Sequence, residues 1–166
     1  MSSKPELAWM AEAKRHLGMH EIKHSFILWD WIKDLNVTWL GKNPAWCGIY
    51  LAKVFKLNNI KYPKQFYRAL EWKNGGAKLK APCYGCVAIK TRKGGGHVCF
   101  VVGKLKDGRL VCLGGNQSDS VCYAIYKESD FEEFRWYGRT QTPAQHRFEL
   151  DLINFNSKLK INVTEN

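Results

Sequence analysis

The sequence predicts an α+β domain in which N-terminal helices pack on an antiparallel β-sheet meander. Up to about residue 76 the apolar residues recur at helical spacing, whereas after Pro82 they alternate with polar residues. Glycine-rich turns separate the alternating runs, as expected for consecutive antiparallel strands. Helices followed by a series of strands are typical of the α+β class.

Four helices are predicted in the first half of the chain. The first follows a capping box at Ser3 and Glu6, has Pro5 in its first turn and ends at Gly18, and the second covers about residues 25–35. A third begins at Asn43-Pro44, because asparagine caps a helix well and proline suits its first position. Cys47 therefore lies in the first turn of this helix. A shorter helix is expected near residues 66–72.

The second half contains five predicted strands, followed by a segment in which the pattern fades. The strands cover residues 85–91, 97–103, 109–113, 121–126 and 134–137. We interpret residues 1–139 as the catalytic domain and residues 140–166 as a C-terminal extension. Alternation at Phe148, Leu150 and Leu152 predicts an edge strand in this extension, followed by a loose tail.

Length, charge and cysteine content restrict the class of protein. A chain of 166 residues fits one domain with one core. Its net charge of +11 favours a polyanionic partner such as a nucleic acid, an anionic membrane surface or an acidic cell-wall polymer. The chain shows neither a signal-peptide pattern nor an apolar run long enough to span a bilayer. We therefore expect a protein made in a reducing cytosol, with its six cysteines mostly as free thiols.

Cys47 and His97 are candidates for a nucleophile and its base. The positive end of a helix favours the thiolate, which is the nucleophilic form of cysteine. A free cysteine is nevertheless often a buried structural residue, so Cys47 alone is a weak signal. His97 opens a predicted strand directly after three glycines, which leave space beside its ring.

The hairpin register adds Asn116 as a third candidate. A two-residue turn at Asp107-Gly108 places Asn116 opposite Cys99, and therefore diagonal to His97 on the same face of the sheet. The Asn116 carbonyl would then accept a hydrogen bond from one imidazole nitrogen and leave the other to face the thiol.

Three further residues are candidates for substrate binding. Trp46 adjoins the nucleophile, where it would line a cleft. Gln117 would donate a hydrogen bond to an oxyanion, although a regular strand points it away from Asn116. Glu21 would approach the site from the N-terminal half.

A zinc site is the competing interpretation of the cysteines. Cys83 and Cys86, with His97 and Cys99, offer ligand types that zinc prefers. However, a predicted strand fills the gap between the pairs, and the spacing of His97 and Cys99 is poor for a zinc finger. We therefore expect no metal or other cofactor, and expect most of these cysteines to pack as small apolar residues.

Four segments together resemble the CHAP and NlpC/P60 cysteine peptidase superfamily, and in particular its small phage- and prophage-encoded, endolysin-like branch. They are residues 44–48 (PAWCG), 66–72 (FYRALEW), 94–103 (GGGHVCFVVG) and 113–117 (LGGNQ). The resemblance extends over about residues 7–136. It implies a papain-like fold and metal-free amidase or endopeptidase action on peptidoglycan, with Cys47, His97 and Asn116 as the catalytic residues.

The resemblance also sets expectations for partners and location. It implies peptidoglycan with acidic stem peptides as the partner, and the charge adds anionic envelope lipid. We expect a monomer that does not bind nucleic acid, is made in the bacterial cytoplasm and acts in the periplasm or cell wall after release. Two alternatives stay open: a basic nucleic-acid-binding module with a structural zinc site, and a secreted antibacterial toxin that uses the same chemistry.

Overall fold

A computed structural model describes residues 4–42, 44–154 and 161–162 of the chain. It contains three α-helices in the N-terminal half: α1 (Ala8–Arg15), α2 (Ser25–Ile32) and α3 (Cys47–Leu57). Short 3₁₀ helices connect or follow the larger elements at Lys33–Leu35, Thr38–Leu40, Ala69–Asn74, Glu128–Asp130 and Gln145–Phe148. The shorter helix predicted near residues 66–72 is thus a 3₁₀ helix that begins slightly later.

The described strands form one sheet with the order β1-β6-β2-β3-β4-β5-β7. Strands β2 to β5 form an antiparallel meander, β6 returns to pair with β2, and β1 pairs antiparallel with β6. The α+β class and the antiparallel meander are therefore confirmed. The strands are β1 (Ala77–Leu79), β2 (Val87–Arg92), β3 (Gly95–Lys104), β4 (Leu110–Gln117), β5 (Ser120–Tyr126), β6 (Glu133–Trp136) and β7 (Ile161–Asn162).

Helix α3 lies at the centre of the core. Every residue from Cys47 to Phe55 is buried, as expected for a helix that is enclosed on all sides. Phe55 packs edge-on against Phe100 of β3, with 5.5 Å between the ring centroids. On the other side, the Tyr50 hydroxyl donates a hydrogen bond to the Ala13 carbonyl of α1 at 2.7 Å. Helix α3 is consequently held between α1 and the sheet.

The β3–β4 hairpin differs from the sequence prediction in its register. The Leu105 N–H donates to the Arg109 carbonyl at 2.8 Å, so Leu105 rather than Lys106 faces Arg109. Gly108 completes this three-residue turn at a φ of +92°, which glycine adopts without strain. A second irregularity lies between Val101 and Gly103, so Phe100 pairs with Leu113. The predicted two-residue turn is therefore wrong.

The first part of the C-terminal extension packs on the domain. Arg147 is buried, and its carbonyl accepts a hydrogen bond from the Tyr84 N–H at 2.8 Å. Near the predicted edge strand, Leu152 forms an isolated parallel bridge with Lys104. Strand β7 then pairs in parallel with β5 at the sheet edge. The predicted loose tail falls on residues 155–160 and 163–166, which lie outside the described residues.

Candidate active site

Cys47 lies in the first turn of α3, as the sequence predicts, but the helix begins at Cys47 itself, three residues after the start predicted at Pro44. The preceding residue, Trp46, makes no side-chain cap at this terminus, and the first bond within the helix runs from the Tyr50 N–H to the Trp46 carbonyl at 2.9 Å. The first N–H groups of a helix have no partner within it and carry the positive end of its dipole. Negative charge on the Cys47 sulfur is therefore favoured here.

The Cys47 side chain lies at the floor of an open cleft. Only 3% of the residue is exposed, yet it lines a cleft of about 490 Å³, which we call the Cys47 cleft. One wall is formed by residues 67–71 and the other by residues 92–96 at the tip of the β2–β3 hairpin. The sulfur is thus protected from bulk solvent, but it remains within reach of a ligand that enters the cleft.

Gly48 holds the first wall in place. A Cβ atom added to Gly48 would lie 2.1 Å from the Phe66 carbonyl oxygen. The same carbonyl accepts a hydrogen bond from the Trp72 indole N–H at 3.0 Å. Only glycine permits this approach of the wall to the helix, which explains the residue that follows the cysteine.

His97 lies on β3 and is completely buried beside the thiol. Its Nε2 is 2.9 Å from Gln117 Oε1. The Gln117 Nε2 donates to the Cys122 carbonyl at 2.7 Å, and this bond fixes the orientation of the amide. Oε1 must then accept from the imidazole, so Nε2 of His97 carries a proton. Nδ1 is the nitrogen that remains for the Cys47 thiol.

Tyr126 completes the support of the imidazole. Its hydroxyl donates to Gln117 Oε1 at 3.0 Å, and its ring lies 5.9 Å from the His97 ring, centroid to centroid. The amide oxygen of Gln117 therefore receives two hydrogen bonds in a buried environment, where such bonds are strong. Tyr126 was not a sequence candidate, since only the strand pairing reveals its proximity.

The directions of their pKa shifts favour a thiolate–imidazolium pair of Cys47 and His97. Burial raises the pKa of Cys47, but a hydrogen bond from His97, the charge of that imidazole and a hydrogen bond from the Val98 N–H outweigh it, so the net pKa is lowered. Burial lowers the pKa of His97, but its interactions with Cys47 and Cys99 raise it well above its ordinary value. The Cys99 thiol, whose own pKa is raised by burial and by Cys112, stays neutral.

The hydrogen bond that the sequence assigns to Asn116 is made by Gln117 instead. Asn116 has a φ of +57°, and the β4–β5 register shifts between Gly114 and Gln117. This bulge moves Gln117 to the face of Gly114, where an added Cβ would lie 2.8 Å from Gln117 Oε1. A regular strand would leave Gln117 on the opposite face. Asn116 is the sequence signal for this bulge, since asparagine tolerates positive φ.

The three predicted substrate-binding residues do not line the Cys47 cleft. Trp46 is 0% exposed and packs where a Cβ on Gly115 would meet its ring at 2.8 Å, so it belongs to the core. Gln117 is buried behind His97 rather than facing the cleft. The carboxyl of Glu21 lies beside Asp119 and the Trp46 indole, and burial and Asp119 raise its pKa. The residues that sequence reasoning missed are cleft residues whose proximity to Cys47 only the fold reveals, among them Arg68 and Arg92.

The described residues contain no cluster of side chains that could bind zinc. Within residues 4–42, 44–154 and 161–162, no group of three or more His, Cys, Asp or Glu side chains is placed to hold a metal ion. All six cysteines are buried thiols that form no disulfide bond. The Cys83 N–H donates to the Cys86 sulfur at 3.4 Å, and both residues are part of the apolar core.

Comparisons with known proteins return no match to a family profile, a curated protein or a solved structure. Among the described residues, every helix is too short or too polar to cross a lipid bilayer.

Proposed function

We propose that this protein is a cysteine hydrolase that cleaves an amide bond in bacterial peptidoglycan, with Cys47 as nucleophile and His97 as base. The observation that carries the proposal is the position of Cys47 at the floor of an open cleft, with His97 beside it and Gln117 buried behind His97. A thiolate at a helix N-terminus, beside an imidazole that a third polar group orients, is the arrangement that activates a cysteine for acyl transfer.

The proton positions allow a complete catalytic cycle. The Cys47 thiolate attacks the amide carbonyl, and the backbone N–H of Cys47 at the start of α3 donates to the oxyanion that forms. The imidazolium of His97 then gives its proton to the leaving amine, so the carbon–nitrogen bond breaks and a thioester remains. Water, deprotonated by the neutral imidazole, hydrolyses the thioester and restores the thiol. Throughout, Gln117 holds the proton on Nε2 of His97.

Charge and sequence resemblance support the choice of substrate. A net charge of +11 favours an anionic polymer, and the peptide stems of peptidoglycan carry carboxylates. The four segments that resemble the CHAP and NlpC/P60 superfamily include both Cys47 and His97. We further propose that the protein is made in the bacterial cytoplasm and acts at the cell wall, with anionic envelope lipid as a second contact.

Mass spectrometry of digested peptidoglycan tests the proposal and identifies the bond. Wild-type protein should release fragments with one new amine and one new carboxyl group, whereas Cys47→Ala should release none. Cys112→Ala is a matched control, because Cys112 is equally buried but lies on β4 and does not line the cleft. Digestion by Cys47→Ala at the wild-type rate would overturn the proposal.

The positive charge also favours a second candidate, a nucleic-acid-binding module. A gel-shift assay at physiological salt separates the two functions. Salt-resistant binding to nucleic acid, together with intact peptidoglycan after incubation, would favour this alternative.

A further inference from the structure

The walls of the Cys47 cleft carry an excess of positive charge. Arg68 lies in one wall, immediately before the Ala69–Asn74 helix. In the other wall, Arg92 is the last residue of β2 and Lys93 lies in the turn that follows. Glu71 is the one carboxylate among the residues that line the cleft. Three cations against one anion give the cleft a local positive potential, which the low-dielectric walls concentrate.

Arg92 is close enough to act on the sulfur itself. It is half-buried, and its charge is one of the causes that lower the pKa of Cys47. On β2 it pairs with Gly95 of β3, so the hairpin tip fixes its backbone next to the strand of His97. Arg92 and Cys47 therefore line the same cleft, which a substrate carbonyl must enter for attack.

Glu71, the acidic residue of the cleft, forms a side-chain hydrogen bond with a residue close to it in the chain. Glu71 Oε2 accepts a hydrogen bond from the Asn74 side-chain amide at 2.9 Å. Arg68 and Lys93 are exposed on opposite walls of the cleft. An anionic group in the cleft would therefore meet cations from both sides, and a guanidinium can bind a carboxylate through two parallel hydrogen bonds.

We propose that Arg68, Arg92 and Lys93 form an anion subsite that selects substrates with a carboxylate adjacent to the amide that Cys47 attacks. The inference deepens and rests on the proposed function, because it assigns a substrate feature to the same cleft. Binding the carboxylate places the neighbouring carbonyl over the sulfur, so the subsite contributes both affinity and orientation.

Two alkylating reagents, one anionic and one neutral, test the subsite without the natural substrate. With both iodoacetate and iodoacetamide, a thiolate sulfur forms a bond to the CH₂ carbon as the carbon–iodine bond breaks and iodide leaves, but only iodoacetate carries a carboxylate. We compare their rates with Cys47, located by peptide mass spectrometry, and divide the ratio by that of free cysteine in the same buffer. Since one thiolate reacts with both reagents, the ratio cancels any change in the thiolate fraction.

In wild type, the normalised ratio should favour iodoacetate by about threefold to tenfold, as expected for unit charges that act through partly screened solvent. Arg92→Gln and Arg68→Gln should each reduce the preference by about threefold. Lys106→Gln is the matched control: it removes the same charge from the turn after β3. Since β3 rises about 3.3 Å per residue, Lys106 lies roughly 25 Å along the strand from His97, and its ratio should not change.

Each outcome supports or overturns a defined part of the account. A wild-type ratio equal to that of free cysteine, or a preference that survives both arginine substitutions, overturns the anion subsite while the hydrolase proposal stands. If Cys47 is alkylated no faster than the other five cysteines, the nucleophile assignment fails and the subsite fails with it.

Discussion

Replacing Gln117 should damage the candidate site far more than replacing its neighbour Asn116. The Gln117 amide bonds three buried groups: His97 Nε2 at 2.9 Å, the Tyr126 hydroxyl at 3.0 Å and the Cys122 carbonyl at 2.7 Å. An average hydrogen bond contributes about 1 kcal/mol, and a buried polar group left without its partner costs about 1–3 kcal/mol. Gln117→Ala should therefore lower the free energy of unfolding by about 3–6 kcal/mol.

The same substitution should lower the rate of peptidoglycan hydrolysis by about 100-fold or more, because the imidazole loses the group that fixes its orientation and its proton. Asn116→Gly is the matched control. Glycine adopts the φ of +57° at this position without strain, so the bulge should persist without the side chain. Hydrolysis by this variant should stay within about threefold of wild type, since Asn116 does not carry the bond to His97.

Urea unfolding followed by circular dichroism measures the stability, and release of peptidoglycan fragments measures the hydrolysis. If Gln117→Ala does not fold, Gln117→Glu keeps an oxygen acceptor for His97 and Tyr126, while it replaces the donor to the Cys122 carbonyl with an oxygen atom and adds a carboxyl group beside the imidazole. Wild-type hydrolysis by folded Gln117→Ala, or an equal loss in Asn116→Gly, would refute the reasoning.

Two further predictions concern the cleft wall and the pH dependence of the thiol. Gly48→Ala should lower the urea midpoint of unfolding strongly, because its Cβ would lie 2.1 Å from the Phe66 carbonyl oxygen. Gly95→Ala is the control and should not lower it, since no atom lies within 4 Å of the added Cβ. Equal midpoints for the two variants would contradict this prediction. Because the pKa of Cys47 is lowered, its alkylation by iodoacetamide should persist below the ordinary thiol range and decline only as the pH falls through that lowered value. His97→Ala should move this decline to higher pH, and an unchanged profile would argue against the ion pair.

Local signals in the sequence were sufficient to predict where Cys47 and His97 lie in the fold. Asn43-Pro44 predicted a helix with Cys47 in its first turn, although α3 begins three residues after Pro44, and the glycines before His97 predicted its place at the start of an alternating strand. Both features depend on residues close together in sequence. The helix-then-meander order depends on apolar periodicity, which is also local, so the α+β class was predictable as well.

The third residue of the site was not predictable from the same signals. The pairing of β4 depends on a three-residue turn at Gly108, an irregularity after Val101 and a bulge at Asn116, and each changes the register by one residue. Register errors accumulate along a strand, and a one-residue shift exchanges the two faces of the sheet. The structure places Trp46 in the core rather than in the cleft for a different reason. Its position next to Cys47 in the sequence does not reveal that α3 is buried on all sides.

The acyl-enzyme intermediate offers the most direct test of the central claim. Wild-type protein is mixed with peptidoglycan fragments, quenched rapidly in acid and digested, and the modified peptide is identified by mass spectrometry. The account predicts an added mass equal to the acyl part of the substrate, on the peptide that contains Cys47, and its absence in Cys47→Ala. Amide cleavage that proceeds with the acyl group on another residue, or in Cys47→Ala itself, would contradict the claim that Cys47 is the nucleophile.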